Sequence, residues 1–172
     1  MTFYKSVEQL PPFGDYSMAN RTYRYFSGDS LFPFGYGLSY ATFRYSNPRV
    51  SREFVPADGS VTISADVTNR SAMDGGEVVQ LYLTHEGVAG AARQELHGFQ
   101  RIHLAHGQTM AVTFKIRDRD FSVVETDGQR RIVNGTVKAW IGESQPPAAA
   151  NRLSGDGVSA QFSITSERIL PD

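Results

Sequence analysis

From Phe43 onward the chain alternates between apolar and polar positions. Val61, Ile63, Ala65 and Val67 are separated by Thr62, Ser64 and Asp66, and Met110, Val112, Phe114 and Ile116 repeat the period of two. Val137, Ala139 and Ile141 do so again, as do Val158, Ala160, Phe162 and Ile164. Alternation places every apolar side chain on one face of an extended backbone, so each run predicts a strand with one buried face. Residues 77–83, EVVQLYL, are more continuously apolar and predict a central strand. Turn signals lie between the runs, at Asp58-Gly59, Asp74-Gly75-Gly76, His106-Gly107, Asp127-Gly128 and Asn134-Gly135. Short strands at this spacing, without a long amphipathic helix, predict an all-β, immunoglobulin-like antiparallel sandwich. The low-complexity stretch at residues 145–150 reads as a loop before the last strand.

The first quarter of the chain has a different texture. Thirteen of the 19 Phe and Tyr residues lie in residues 1–45, in a segment without helical or strand period that is broken by Pro11-Pro12, Gly14-Asp15, Gly28-Asp29, Pro33, Gly35 and Gly37. Large rings on an irregular backbone gain about 1.5–3 kcal/mol each by burial. They therefore need a surface to lie on. Tyr23, Tyr25, Phe26, Phe32, Phe34, Tyr36 and Tyr40 are the candidate docking residues. The expected division is an aromatic-rich linker over 1–42, a sandwich over 43–166 and a short tail over 167–172.

Two motifs in that first quarter, Arg21-Thr22-Tyr23-Arg24-Tyr25-Phe26 and the run from Leu31 to Phe43, LFPFGYGLSYATF, resemble the linker near the C-terminus of glycoside hydrolase family 3, the β-glucosidases and β-xylosidases. The similarity continues through residues 77–83, through QELHGFQRIHL at residues 94–104 and through Gly107-Gln108-Thr109, so it covers roughly residues 2–165. Departures are mild: His97 stands where lysine is common, Ala105-His106 where Lys-Pro is common, and Asn69-Arg70-Ser71 where Asn-Thr-Gly is usual. The resemblance implies a fibronectin type III-like sandwich, preceded by the tail of an α/β domain. It also implies partners, namely the catalytic barrel and α/β domains of a family 3 glycosidase, in cis in the parent enzyme or in trans here.

Composition narrows the alternatives. At 172 residues with 40% hydrophobic content and a net charge of −1, the chain has no basic excess suited to nucleic acid. No apolar run approaches the roughly 20 residues needed to span a bilayer, and residues 1–5, MTFYK, do not open a signal peptide. The family includes periplasmic, secreted and cytoplasmic enzymes, so the compartment stays open. With no cysteine, neither disulfides nor thiolate chemistry arises.

Retaining glycoside hydrolysis needs two carboxyl groups about 5–5.5 Å apart. The resemblance implies that the nucleophilic Asp and the acid/base both lie upstream of this segment, so no catalytic residue is assigned here. Of the chain's own acids, Asp118 and Asp120 read as turn caps paired with Arg117 or Arg119, Glu125 and Asp127 as solvated turn residues, and Asp29 as a loop acceptor. His85, His97, His103 and His106 do not form a ligand pattern, and no metal or other cofactor is expected. Gly35-Tyr36-Gly37 and Gly155-Asp156-Gly157 lack the following helix that a phosphate cradle requires.

Trp140 falls on the polar side of its strand. It reads either as a ring covered by the aromatic segment or a neighbouring domain, or as an exposed platform for carbohydrate or a partner. The expectation is a structural, non-catalytic domain that packs on the catalytic pair of a family 3 β-glycosidase, with self-association as the outcome if the rings find no partner. Its alternative is a free-standing carbohydrate-binding or protein-interaction module.

Overall fold

A computed structural model describes residues 2–125, 127–147 and 155–171, and it shows two facing sheets with a smaller third one at the side. Among the described residues the strands are β1 (Phe43–Val50), β2 (Phe54–Val55), β3 (Ser60–Asn69), β4 (Gly75–His85), β5 (Glu95–Leu104), β6 (Thr109–Arg117), β7 (Val123–Val124), β8 (Arg130–Ile132), β9 (Gly135–Gly142), β10 (Gly157–Ile164) and β11 (Arg168–Ile169). One sheet has the order β1-β3-β6, the other β2-β10-β9-β4-β5, and the small sheet β11-β8-β7. All pairings are antiparallel except the two-residue contact of β2 with β10.

The alternating runs fall as their period requires. Val61, Ile63, Ala65 and Val67 of β3 are buried against Val112, Phe114 and Ile116 of β6 in the same sheet, and across the sandwich they meet Val137, Ala139 and Ile141 of β9. Met110 departs from the pattern and is 38% exposed at the start of the edge strand β6, although Val67 opposite it on β3 is fully buried. The predicted central strand is β4, flanked by β5 and β9. Val79, Leu81 and Leu83 point into the core, while Gln80 and Tyr82 on the opposite face are buried as well. Asp74-Gly75-Gly76 is only partly a turn, because both glycines already belong to β4 and pair with His103 and Leu104.

Polar side chains close the loops. Asn69, fully buried, donates from Nδ2 to the carbonyls of Met73 (2.8 Å) and Leu104 (3.0 Å) and accepts from the Ser71 amide (3.0 Å), so it holds the β3–β4 turn despite its Asn-Arg-Ser sequence. Asp120 accepts from the Arg117 amide and Asp118 from the Arg119 amide, each at 2.8 Å, capping the short 3₁₀ turn Asp118–Phe121. The ion partner of Asp118 is Arg168, at 3.8 Å. β11 pairs with β8, and the following Leu170 is buried in the core.

Leu81 lies at the centre of this core and is fully buried, whereas Phe99 on the edge strand β5 is 69% exposed. Leu81→Ala is expected to cost about 2–5 kcal/mol through lost transfer energy and a residual cavity. Phe99→Ala should stay within about 0.5 kcal/mol. Urea unfolding of the two variants against the parent chain checks the contrast; equal losses would mean that the core is not centred on β4.

Candidate domain-docking site

The outer face of β4 and β9 is where the aromatic segment lies down. Gln80 and Tyr82 project there by strand alternation, and both carry polar ends that burial obliges to find partners. The Tyr82 hydroxyl donates to Gln80 Oε1 at 2.6 Å and stands 3.4 Å from the Phe34 carbonyl. Gln80 Nε2 donates to the Glu143 carbonyl at 2.5 Å and lies 3.4 Å from that of Gly35. The Gln145 amide donates to the Phe34 carbonyl at 2.9 Å. Gly35 is required here twice over: its φ is +82°, and a Cβ would come within 2.2 Å of Gln80 Oε1.

Tyr23, on the one-turn helix α1 (Thr22–Tyr25), completes the seam. Its ring stacks on Phe34 with centroids 4.0 Å apart and meets Tyr82 edge-on at 6.3 Å. Its hydroxyl accepts from the Leu96 amide at 3.2 Å, and its carbonyl accepts from Gln94 Nε2 at 3.3 Å. Beside it the Arg93 amide donates to the Arg24 carbonyl at 2.8 Å, and Arg24 pairs with Glu95 at 2.6 Å.

The sequence-predicted rings thus divide. Tyr23 and Phe34 are half-buried against the sandwich of their own chain. Phe26 is half-buried against Tyr4, at 5.1 Å, and Tyr25 lies half-buried under Arg24, at 5.7 Å. Phe32 and Tyr36 stack on one another at 5.3 Å, with Phe3 edge-on to Phe32 at 5.9 Å, along an apolar groove that Leu38 also lines. Tyr40 is 96% exposed. The sequence reading did not single out Phe13 (99% exposed), Tyr16 (87%) or Leu38 (90%), although their place among the same prolines and glycines was a usable signal.

Trp140 is half-buried and donates from Nε1 to the Ser144 carbonyl at 2.9 Å. Its indole lies across Gly157, where a Cβ would come within 2.3 Å of the ring.

An acidic cluster built around the buried Glu77 also lies outside the sequence reading. The Tyr45 hydroxyl donates to Glu77 Oε1 at 2.9 Å, the Tyr45 amide donates to Asp156 at 3.0 Å, and the Asp156 amide donates to Glu143 Oε1 at 2.9 Å. Burial, outweighing the Tyr45 hydrogen bond and reinforced by the charge of Glu143, pushes the Glu77 carboxyl up to about 7. Burial raises Glu143 as well. Three of the acids weighed in the sequence are paired: Glu125 and Asp127 both hold Arg131, at 3.1 and 2.7 Å, and Asp29 holds Lys5 at 3.3 Å. Among the described residues no three His, Asp or Glu side chains converge as a metal site. His103 and His106 flank the end of β5, with His106 Nδ1 at 2.5 Å from the Ser71 carbonyl.

Residues 77–145 match the model of the fibronectin type III-like domain. The chain is 39% identical over 133 residues to a xylan 1,4-β-xylosidase of Xylanibacter ruminicola, a match covering 76% of this chain and 15% of that enzyme. Among solved structures, β-glucosidase 3B of Thermotoga neapolitana superposes with a TM-score of 0.72 at 26% identity, over 87% of this chain and 19% of that one. The GH3 β-glucosidase of Bifidobacterium adolescentis does so with a TM-score of 0.68 at 28% identity, over 83% and 20%. The chain resembles the C-terminal fibronectin type III-like region of glycoside hydrolase family 3 β-glucosidases and β-xylosidases, and it spans about a fifth or less of the length of these relatives.

Two measurements test the site. Tyr23→Ala removes a half-buried stacked ring and the acceptor of the Leu96 amide, and should cost about 1–3 kcal/mol; an unchanged urea midpoint would mean that the segment does not anchor the fold. Glu77→Gln bears on pH. Because the folded-state pKa of Glu77 is raised, its contribution is fully present below about 4.5 and lost as pH rises through about 7. The variant should therefore gain stability over the parent progressively between those values, reaching on the order of 3 kcal/mol. A gap that does not change with pH would refute this.

Proposed function

We propose that this chain is the non-catalytic terminal domain of a family 3 β-glycosidase, which packs on the catalytic barrel and α/β domains and stabilises them. One observation carries the reading: Phe13, Tyr16, Leu38 and Tyr40 stand 87–99% exposed in a segment that the sandwich itself anchors through Tyr23, Phe34 and Gly35. Exposed rings held in fixed places, beside an apolar groove, have the form of an interface waiting for a protein surface. Chemistry on the chain's own acids is disfavoured, because Asp118 and Asp120 serve as turn caps and Glu125 and Asp127 are held by Arg131. Activity on terminal β-glucosides or β-xylosides belongs, in this reading, to the whole enzyme.

The experiment mixes the chain with a family 3 β-xylosidase fragment that contains the barrel and α/β domains but lacks its own C-terminal region. Sedimentation should show a complex, and nitrophenyl β-xyloside hydrolysis should appear only in the mixture. A buried interface tyrosine is worth about 2 kcal/mol, so Tyr40→Ala should weaken the complex roughly thirtyfold. Hydrolysis by the chain alone, abolished by Asp118→Asn or Glu77→Gln with the fold intact, would overturn the non-catalytic reading. A strictly monomeric chain that forms no complex would overturn the docking.

A further inference from the structure

Between the aromatic segment and the turn that follows β9 lies a pocket of about 120 Å³. Its walls are the rings of Tyr23, Phe26 and Phe34, and its polar lining includes Thr2, Arg93 and Gln145. Gln145 is 91% buried by its 9% exposure, yet among the described residues its Oε1 has no hydrogen-bond partner. Thr2 Oγ1, equally shielded from solvent, has none either. An unpaired buried acceptor costs about 1–3 kcal/mol, and a fold carries such a cost where something else is meant to fill the space.

We propose that this pocket binds a small neutral polyol, in the size range from glycerol to a pentose. The chemistry of the lining selects that class. An anion would face the unpaired Gln145 carbonyl oxygen, and a cation would enter beside the positively charged Arg93. A wholly apolar guest would leave both Gln145 Oε1 and Thr2 Oγ1 unpaired. A hydroxyl donates and accepts at one atom, so it satisfies the acceptor-only amide oxygen and the Thr2 hydroxyl together. The C–H faces of a polyol then lie against Phe34 and Phe26. The volume of about 120 Å³ is well above the roughly 10–15 Å³ of such space that a single water needs, so the pocket admits a molecule of several heavy atoms. The site lies apart from the exposed Leu38 and Tyr40, although its walls Tyr23, Phe26 and Phe34 belong to the same aromatic segment.

The test is calorimetric titration of the full chain with glycerol and with D-xylose, with 1-propanol as the apolar control, alongside spectra of the Gln145 side-chain amide. Saturable binding with Kd on the order of 1–10 mM is expected for at least one polyol, together with a shift of the Gln145 amide resonance. Gln145→Leu should weaken that binding at least tenfold without lowering the melting temperature of the free protein, since the orphan acceptor goes with the ligand site; its backbone bond to Phe34 is untouched. Should Gln145→Leu fail to fold, Thr2→Val carries the same comparison. No saturation up to about 100 mM would overturn the proposal, the pocket then holding water alone. Propanol binding as tightly as the polyols, or binding unaltered by the variant, would overturn it equally.

Discussion

The arrangement turns on the outer face of β4. Any strand in a two-sheet sandwich offers one side to the core and the other to water, and β4 uses the core side conventionally with Val79, Leu81 and Leu83. On the other side it carries Gln80 and Tyr82, whose amide and hydroxyl would be content in solvent but whose bulk is fully or nearly fully buried. Burying them requires a second layer with carbonyl groups in fixed positions. The carbonyls of Phe34, Gly35 and Glu143 supply them, and no regular strand could, since its carbonyls would be spent on a ladder. The irregular backbone of the aromatic segment is thus a requirement of the sheet it covers.

That requirement sorts the rings by role. Tyr23 and Phe34 must face the sheet, because their stack closes over Tyr82. Once they are fixed, the chain on either side of them is short and turned by Pro33 and Gly35, so Leu38 and Tyr40 have nowhere to fold back and stand in solvent. The same constraint makes the pocket at Gln145: the Phe34 carbonyl takes the backbone amide of Gln145 and holds the residue in place, while its side chain is left facing a space that the anchored rings enclose but do not fill. Anchoring, exposure and cavity are three consequences of one contact.

What was legible in the sequence was whatever repeats locally. Period-two runs revealed β3, β6 and β9, and the unbroken run at 77–83 revealed β4, because a strand's two faces imprint themselves on neighbouring residues. The resemblance added the aromatic segment's family, and the residues alone said that its rings need a surface. They did not say which rings meet which surface. Tyr45 and Glu77 are 32 positions apart, and Tyr23 and Leu96 are 73 apart, so nothing in the local pattern joins them. β11 was equally invisible, since two residues carry no period and their pairing with β8 depends on the whole sandwich. Gln145 fell inside a stretch that reads as plain loop, and only its enclosure makes it notable.

The core-facing row of β4 shows how burial without charge pairing shapes the pH response of the fold. By alternation that row runs Glu77, Val79, Leu81, Leu83, His85, with an acid at one end and a base at the other. Burial keeps both neutral: the Glu77 pKa is raised to about 7 and the His85 pKa lowered to about 4. His85 therefore contributes stability that is present above about 6.5 and lost as pH falls through about 4, the opposite course to that of Glu77. Where the two windows overlap, from about 4.5 to 6.5, the folded state holds one proton more at Glu77 and one fewer at His85 than the unfolded chain. Their slopes cancel there. Above that window Glu77 alone lowers stability until about pH 7, and below it His85 alone does so until about pH 4. His97, also buried and held below the ordinary imidazole range, adds to the side of His85 and moves the optimum toward the upper end of the overlap. A strand that places neutralised groups of opposite kind at its two ends thus sets their pH responses against one another, and the slope that remains inside the window is set by His97 on one side and by Glu143, raised by burial, on the other.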